Sequence, residues 1–204
     1  MSTDVRGAAP QDVAAQINAL GARANWPIVW DAACAFVTPS LRSVQQLWFA
    51  KCGGRRFPAR DDFSLSDLRS LAKYTAFIAA VGGDEGLRFK TRVMGSELER
   101  VFVPMTGRFI DEVMPPFFAA KWATMFLAAL RGGAPVRAFG RLEYRERRHV
   151  ISEIMFAPLA QDGETADGLM AVVQFHFLGE GELEDPESHA AQLLRELEAA
   201  ARAG

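Results

Sequence analysis

Cysteine and histidine are scarce in this 204-residue chain: Cys34 and Cys52 are its two cysteines, and His149, His176 and His189 are scattered. That leaves no disulfide framework and no Cys/His zinc site, and it fits a reducing, cytoplasmic compartment. Charge of one sign is missing too. Twenty-three Lys and Arg stand against 25 Asp and Glu, a net of -2, so no overall field exists to hold nucleic acid. Long apolar runs are absent. The stretches around Phe117–Leu130 and Leu169–Leu178 fall short of the roughly 20 residues a membrane helix needs, and Lys121 interrupts the first. The start, MSTDVR, has no basic stretch followed by an apolar run, so no secretory signal is expected. GxxxxGK, GxGxxG, GxSxG and HExxH are also absent. These lacks describe a soluble protein without a ready-made catalytic or nucleotide motif.

What is present is patterned. Half of the residues are apolar and 24% are charged, as in a chain that builds its own core. Val13, Ile17 and Leu20 between Pro10 and Gly21 predict an amphipathic helix over 10–22. Leu41, Val44, Leu47 and Trp48 predict another over 40–51, ended by Gly53 and Gly54. Ser64 and Asp67 form a capping box that opens a third helix reaching about Lys73. From Thr75 the period falls from near 3.6 to 2. TAFIAAV and LRFKTRV then make an antiparallel hairpin around a turn at 82–86. Short helices are expected around Glu97–Val103 and near Ile110, before a long one over 116–133 stopped by Gly132 and Gly133. Three strands follow, over 136–147, 149–160 and 168–178. The sum is an α+β chain with a five-stranded antiparallel sheet and helices on one face. Residues 1–40 form an N-terminal helical extension. Residues 180–204 carry a net charge of -5 against +3 for the rest and predict a separate C-terminal helix over Glu187–Ala201.

Two strands, a helical block ending in one long helix, then three strands is the element order of the PAS fold. The residues extend that likeness. LWFAKCGGRRFPARDDFSLSDL, FKTRVMGSELERVFVPMTGRFIDEV and SEIMFAPLAQDG resemble a bacterial family of PAS-like proteins over residues 41–178. The matching positions are Trp48, Pro58, Arg60, Asp62, Arg92, Gly95, Thr106, Gly107, Glu153, Met155, Pro158 and Leu159. Leu65 departs from the pattern, where the family usually has Pro. The resemblance implies a sensory or signalling module that performs no chemistry and binds a small organic ligand or a protein partner.

A haem-binding PAS needs an axial ligand near the long helix, and 116–133 holds no histidine. A flavin photosensor needs a cysteine inside the helical block, and both cysteines precede it. No cofactor is therefore assigned. The candidate ligand pocket is lined by Phe77, Phe89, Phe102, Phe109, Phe126, Leu142, Phe156, Val173 and Phe175, although such aromatics also serve as plain core. Arg92 and Glu153 are a candidate polar anchor, with a cross-strand ion pair as the plainer reading. The arginine run RLEYRERRH at 141–149 is read as a solvated strand face and hairpin tip, with a patch for phosphate or an acidic partner second.

Both faces of the last strand are apolar, which requires cover on the outer face of the sheet, and the helices at 10–22 and around Trp48 are its natural covers. His176, on that covered face, receives no catalytic role. With no effector domain in the chain, the signal is expected to leave by association, with a homodimer and a signalling protein as partners and neither nucleic acid nor membrane involved. Two alternatives stay open: a cone-like isomerase or dehydratase, for which Tyr144 and His149 are the nearest acid-base pair, and a scaffold with a filled core.

Overall fold

The computed structural model describes residues 9–83, 86–142 and 150–177, together with residue 199. Its elements are α1 (Pro10–Arg23), β1 (Ile28–Asp31), α2 (Pro39–Cys52), α3 (Leu65–Leu68), β2 (Thr75–Gly83), β3 (Gly86–Met94), α4 (Ser96–Val101), α5 (Ile110–Val113), α6 (Pro116–Gly132), β4 (Val136–Arg141), β5 (Val150–Leu159) and β6 (Gly168–Phe177), with 3-10 turns at Arg60–Asp62 and Arg69–Tyr74. The strands form one antiparallel sheet in the order β1-β4-β5-β6-β2-β3. The hairpin and the last strand thus meet at the centre although 73 residues separate β3 from β6 in the chain.

The sheet has six strands where the sequence predicts five. Ile28–Asp31 is too short to show a period of 2, yet it pairs with β4 from Ile28↔Gly140 to Asp31↔Arg137. Gly140 makes that approach possible, because a side chain there would run into the backbone of Pro27 and Ile28. The free edge of β1 is closed by Asn18 on α1, whose amide accepts from Trp30 N at 2.7 Å and donates to Trp30 O at 2.8 Å. An unpaired edge invites further strands, and a side-chain amide that mimics a neighbouring strand removes the invitation.

Helices cover both faces, not one. On the first face α1, α4, α5 and α6 pack over Ile28, Trp30, Val136, Ala138, Ile154, Phe156, Leu169 and Ala171. On the second, α2, α3 and the two 3-10 turns pack over Phe77, Met155, Ala157, Leu159, Met170 and Val172. The Trp48 helix is a cover of the outer face, as its sequence suggests, whereas the helix at 10–22 lies with α6 on the other side. Ser64 caps α3 as expected: its hydroxyl accepts from Asp67 N at 3.2 Å, and Asp67 accepts from Ser64 N at 2.9 Å. The single helix to Lys73 is broken, because Arg69 takes φ 47 and the chain continues as a 3-10 turn. Gly95 lets that turn lie directly against the start of α4, since a Cβ at this position would strike the carbonyls of Ala72 and Lys73. The strand tip at 143–149, including Tyr144 and His149, and all of the predicted helix at 187–201 except residue 199 lie outside the described residues.

Candidate functional site

Between the sheet and α4–α6 lies a cavity of about 60 Å³. Phe102, Trp122, Phe126 and Phe156 form a ring wall: Trp122 meets Phe102 edge-on at 5.8 Å and Phe156 at 6.3 Å, and Phe126 meets Phe156 at 5.9 Å. Ala76, Ile78, Ile154, Ala171 and Val173 of the sheet floor it, Met94 lines it from the end of β3, and Leu98, Met105, Ile110 and Met114 close it from the helical side. Thr91 is the one polar residue among these walls. A site so poor in hydrogen-bond partners repels water and charge and accepts small apolar groups.

Four of the nine pocket residues expected from the sequence line this cavity: Phe102, Phe126, Phe156 and Val173. Phe77 does not, because it sits one residue out of phase with Ala76 and Ile78 and packs on the other face against Phe63 at 6.3 Å. Phe89 is buried against Phe126 at 5.4 Å, Leu142 is buried at the end of β4, and Phe175 lies between Tyr74, which it meets edge-on, and Phe102, to which it is tilted. Phe109 is half-buried outside the cavity, under the guanidinium of Arg88 at 4.0 Å. Aromaticity alone selects the wrong members. Strand parity finds the right ones, since Ile154 and Ala171 share a face with Phe156 and Val173. The methionines carry no periodic signal of their own.

Arg92 and Glu153 do not meet. Arg92 is exposed on the edge strand β3, while Glu153 is fully buried on β5, with β6 and β2 between them. The partner of Glu153 is Arg137, diagonally across on β4 and two residues from the directly opposed Phe139, equally buried and joined to it through Nε. The carboxylate also accepts from Val37 N and Thr38 N, each at 2.9 Å, and Arg137 reaches Asp31 at 3.4 Å. Asp31 in turn accepts from Ala33 N and Ala35 N, so the group ties residues 31–38 to the sheet. Burial pushes the Glu153 carboxyl up, but the bonds from Thr38 and Val37 and the Arg137 charge outweigh it and hold the carboxyl below its usual value. Glu153 is a structural anchor on the face opposite the cavity.

Cys34 belongs to the same region. Its thiol donates to Pro135 O at 3.0 Å, and burial, with the Asp31 charge adding, pushes its pKa up to about 12. A thiol so held stays protonated and inert at neutral pH. His176 is half-buried on the second face, with Nε2 lacking a hydrogen-bond partner among the described residues. No cluster of three or more metal-ligating side chains occurs among the described residues, and no helix there is long and apolar enough to cross a membrane.

No family model and no curated protein matches this chain. Among solved structures it is similar to an RNA-binding Light-Oxygen-Voltage receptor, with 13% identity and a TM-score of 0.36. That likeness covers 91% of this chain and 64% of the receptor chain, so less than two thirds of the receptor's length is matched.

Proposed function

We propose that this protein is a PAS-type sensory or signalling module that performs no chemistry and senses a small molecule held in the apolar cavity between the sheet and α4–α6. The observation that carries the reading is the lining: rings, methyls and thioethers surround the space, with Thr91 alone as a polar wall residue. An isomerase or dehydratase needs an acid-base pair converging on its substrate, and this cavity offers a surface for binding instead. From β2 onward the element order, two strands, a helical block and three strands, supports the same reading. Signal output by association, as a homodimer or with a signalling protein, completes the proposal. Light scattering across micromolar concentrations checks the dimer, which a monomer throughout would remove.

The small volume favours a second reading in one respect: a cavity of about 60 Å³ is near what a scaffold with an imperfectly filled core would leave. Binding separates the two. A ligand that binds only the folded state raises the melting temperature, because at free concentration L it stabilises that state by RT ln(1 + L/Kd). Xenon under pressure should therefore raise the melting temperature of the native protein, and Ala171→Leu, which fills the floor, should abolish the rise. The same melting temperature under xenon and helium would favour the scaffold.

A further inference from the structure

The cavity has a neighbour. A groove of about 320 Å³ runs along the outside of α5 and α6, lined by Leu87, Arg88, Asp111, Ala119 and Ala123 among others. Ile110 lines both spaces. Ile110 is therefore part of the wall between the outer groove and the inner cavity, although it is only 3% exposed itself.

The element that carries this wall is slight. α5 is a single turn of four residues, entered after Gly107 at φ 80 and followed by Pro115 and Pro116. Ile110 and Met114, four residues apart on one side of the turn, face the cavity. The chain entering the turn is tied to β3, with Gly107 N donating to Thr91 O at 2.7 Å and Thr91 N to Arg108 O at 2.9 Å, and the turn itself is gripped from outside by Arg88 on β3. Its Nε and Nη2 grip both carboxylate oxygens of Asp111 at 2.8 and 2.9 Å, Nη2 also reaches Glu112 at 3.2 Å, and the guanidinium lies over the Phe109 ring at 4.0 Å. Bidentate contact fixes orientation as well as distance. All three charged side chains remain between a third and a half exposed, so salt reaches the grip.

Resting on the reading of the cavity as a ligand site, we infer that α5 is its door: a neutral, apolar ligand of about two to four heavy atoms passes from the outer groove past Ile110, at a rate governed by the hold of Arg88 on Asp111 and Glu112. The ligand class follows from the volume and the walls. A cavity of about 60 Å³ is well under half of the ~150 Å³ cavity that admits benzene. A charged or strongly polar guest would lose its water and find no partners inside.

The experiment uses xenon as probe, with the protein labelled at the methionine methyls and the exchange of bound xenon followed by 129Xe saturation transfer. Native protein should bind xenon, with shifts at Met94, Met105 and Met114. Arg88→Ala should speed exchange by about five-fold with little change in occupancy, as expected for a partly exposed ion pair. Asp111→Asn, which loosens the grip from the other side, should act in the same direction. Ile110→Val should speed exchange without touching the grip, and high salt should speed the native protein but not Arg88→Ala. If xenon binds and exchanges at the native rate in Arg88→Ala, Asp111→Asn and Ile110→Val, the door is elsewhere and only the ligand class stands. If xenon does not bind the native protein, the cavity reading itself fails, and the proposal with it.

Discussion

The two faces of this sheet are finished in opposite ways. The second face is closed by a buried ionic anchor and a buried indole: Arg137, Glu153 and Asp31 fasten residues 31–38, and Trp48 Nε1 donates to Pro158 O at 2.8 Å from a side chain that is 3% exposed. The first face keeps a dry space under short helices, with α5 held down by an ion pair open to solvent. Polar atoms buried without alternatives specify one arrangement, because each lost bond leaves an unpaired group. Apolar walls around a gap specify far less. The sheet therefore has one face built to stay and one built to accommodate.

The largest expected effect breaks the anchor. Arg137→Met leaves Glu153 charged and unpaired in the interior, and should cost about 3–5 kcal/mol in urea denaturation. The double variant Arg137→Met/Glu153→Leu should cost less than the single one, since no charge is then stranded. If both cost the same, Glu153 is not charged in the native protein.

Packing sharpens the contrast. Ala157 is fully buried on the second face, and Ala157→Val should destabilise by about 1–3 kcal/mol through overpacking. Ala171 floors the cavity, and Ala171→Val should be neutral or stabilise by about 0.5–1 kcal/mol by filling it. Equal costs for the two would mean that the faces are equally dense. Smaller again is Trp48→Phe, which keeps most of the packing and removes one donor; about 1–2 kcal/mol is expected, read from the same denaturation curves.

Acid should act on the anchored face. The native Glu153 carboxyl lies below its usual value, so its contribution is complete above the unfolded-state value of about 4.3 and is lost as pH falls through the native value. Urea midpoints should drop below about pH 4, and Glu153→Gln should have a shallower acid limb than the native protein. An unchanged slope would assign the acid limb to surface carboxylates such as Asp67, held at about 2 mainly by its bond from Ser64 N.

How much of this was legible follows from the kind of signal each part leaves. The helices at 10–22, 40–51 and 116–133 and the strands from Thr75 onward leave periods, and their stops are Gly53 and Gly133 in left-handed conformation. Residues that carry the family resemblance prove to have local reasons: Trp48 and Pro158 are bonded to each other, Gly95 permits a backbone approach, and Thr106 Oγ1 accepts from Met94 N at 3.1 Å. β1 left no period because four residues are too few, and its partner in the sheet is more than a hundred residues away. The Arg137–Glu153 pair was hidden for a related reason, since nothing in the sequence says that β4 and β5 meet in the register that opposes Phe139 to Glu153 and sets Arg137 two residues along on the same face. The cavity was half legible: its rings could be guessed, but a gap is a property of how elements meet, and Met105, Met114 and Ile110 come from turns and a short helix that follow no period, while Met94 is the last residue of β3.

The contrast between the faces is tested most directly at the methionine methyls. Met94, Met105 and Met114 line the cavity, while Met155 and Met170 are fully buried in the cluster on the second face. In 13C-methyl spectra recorded under xenon and then under helium at equal pressure, the account predicts that the first three resonances move with xenon alone and the last two stay. Shifts at all five, or at none, would contradict it.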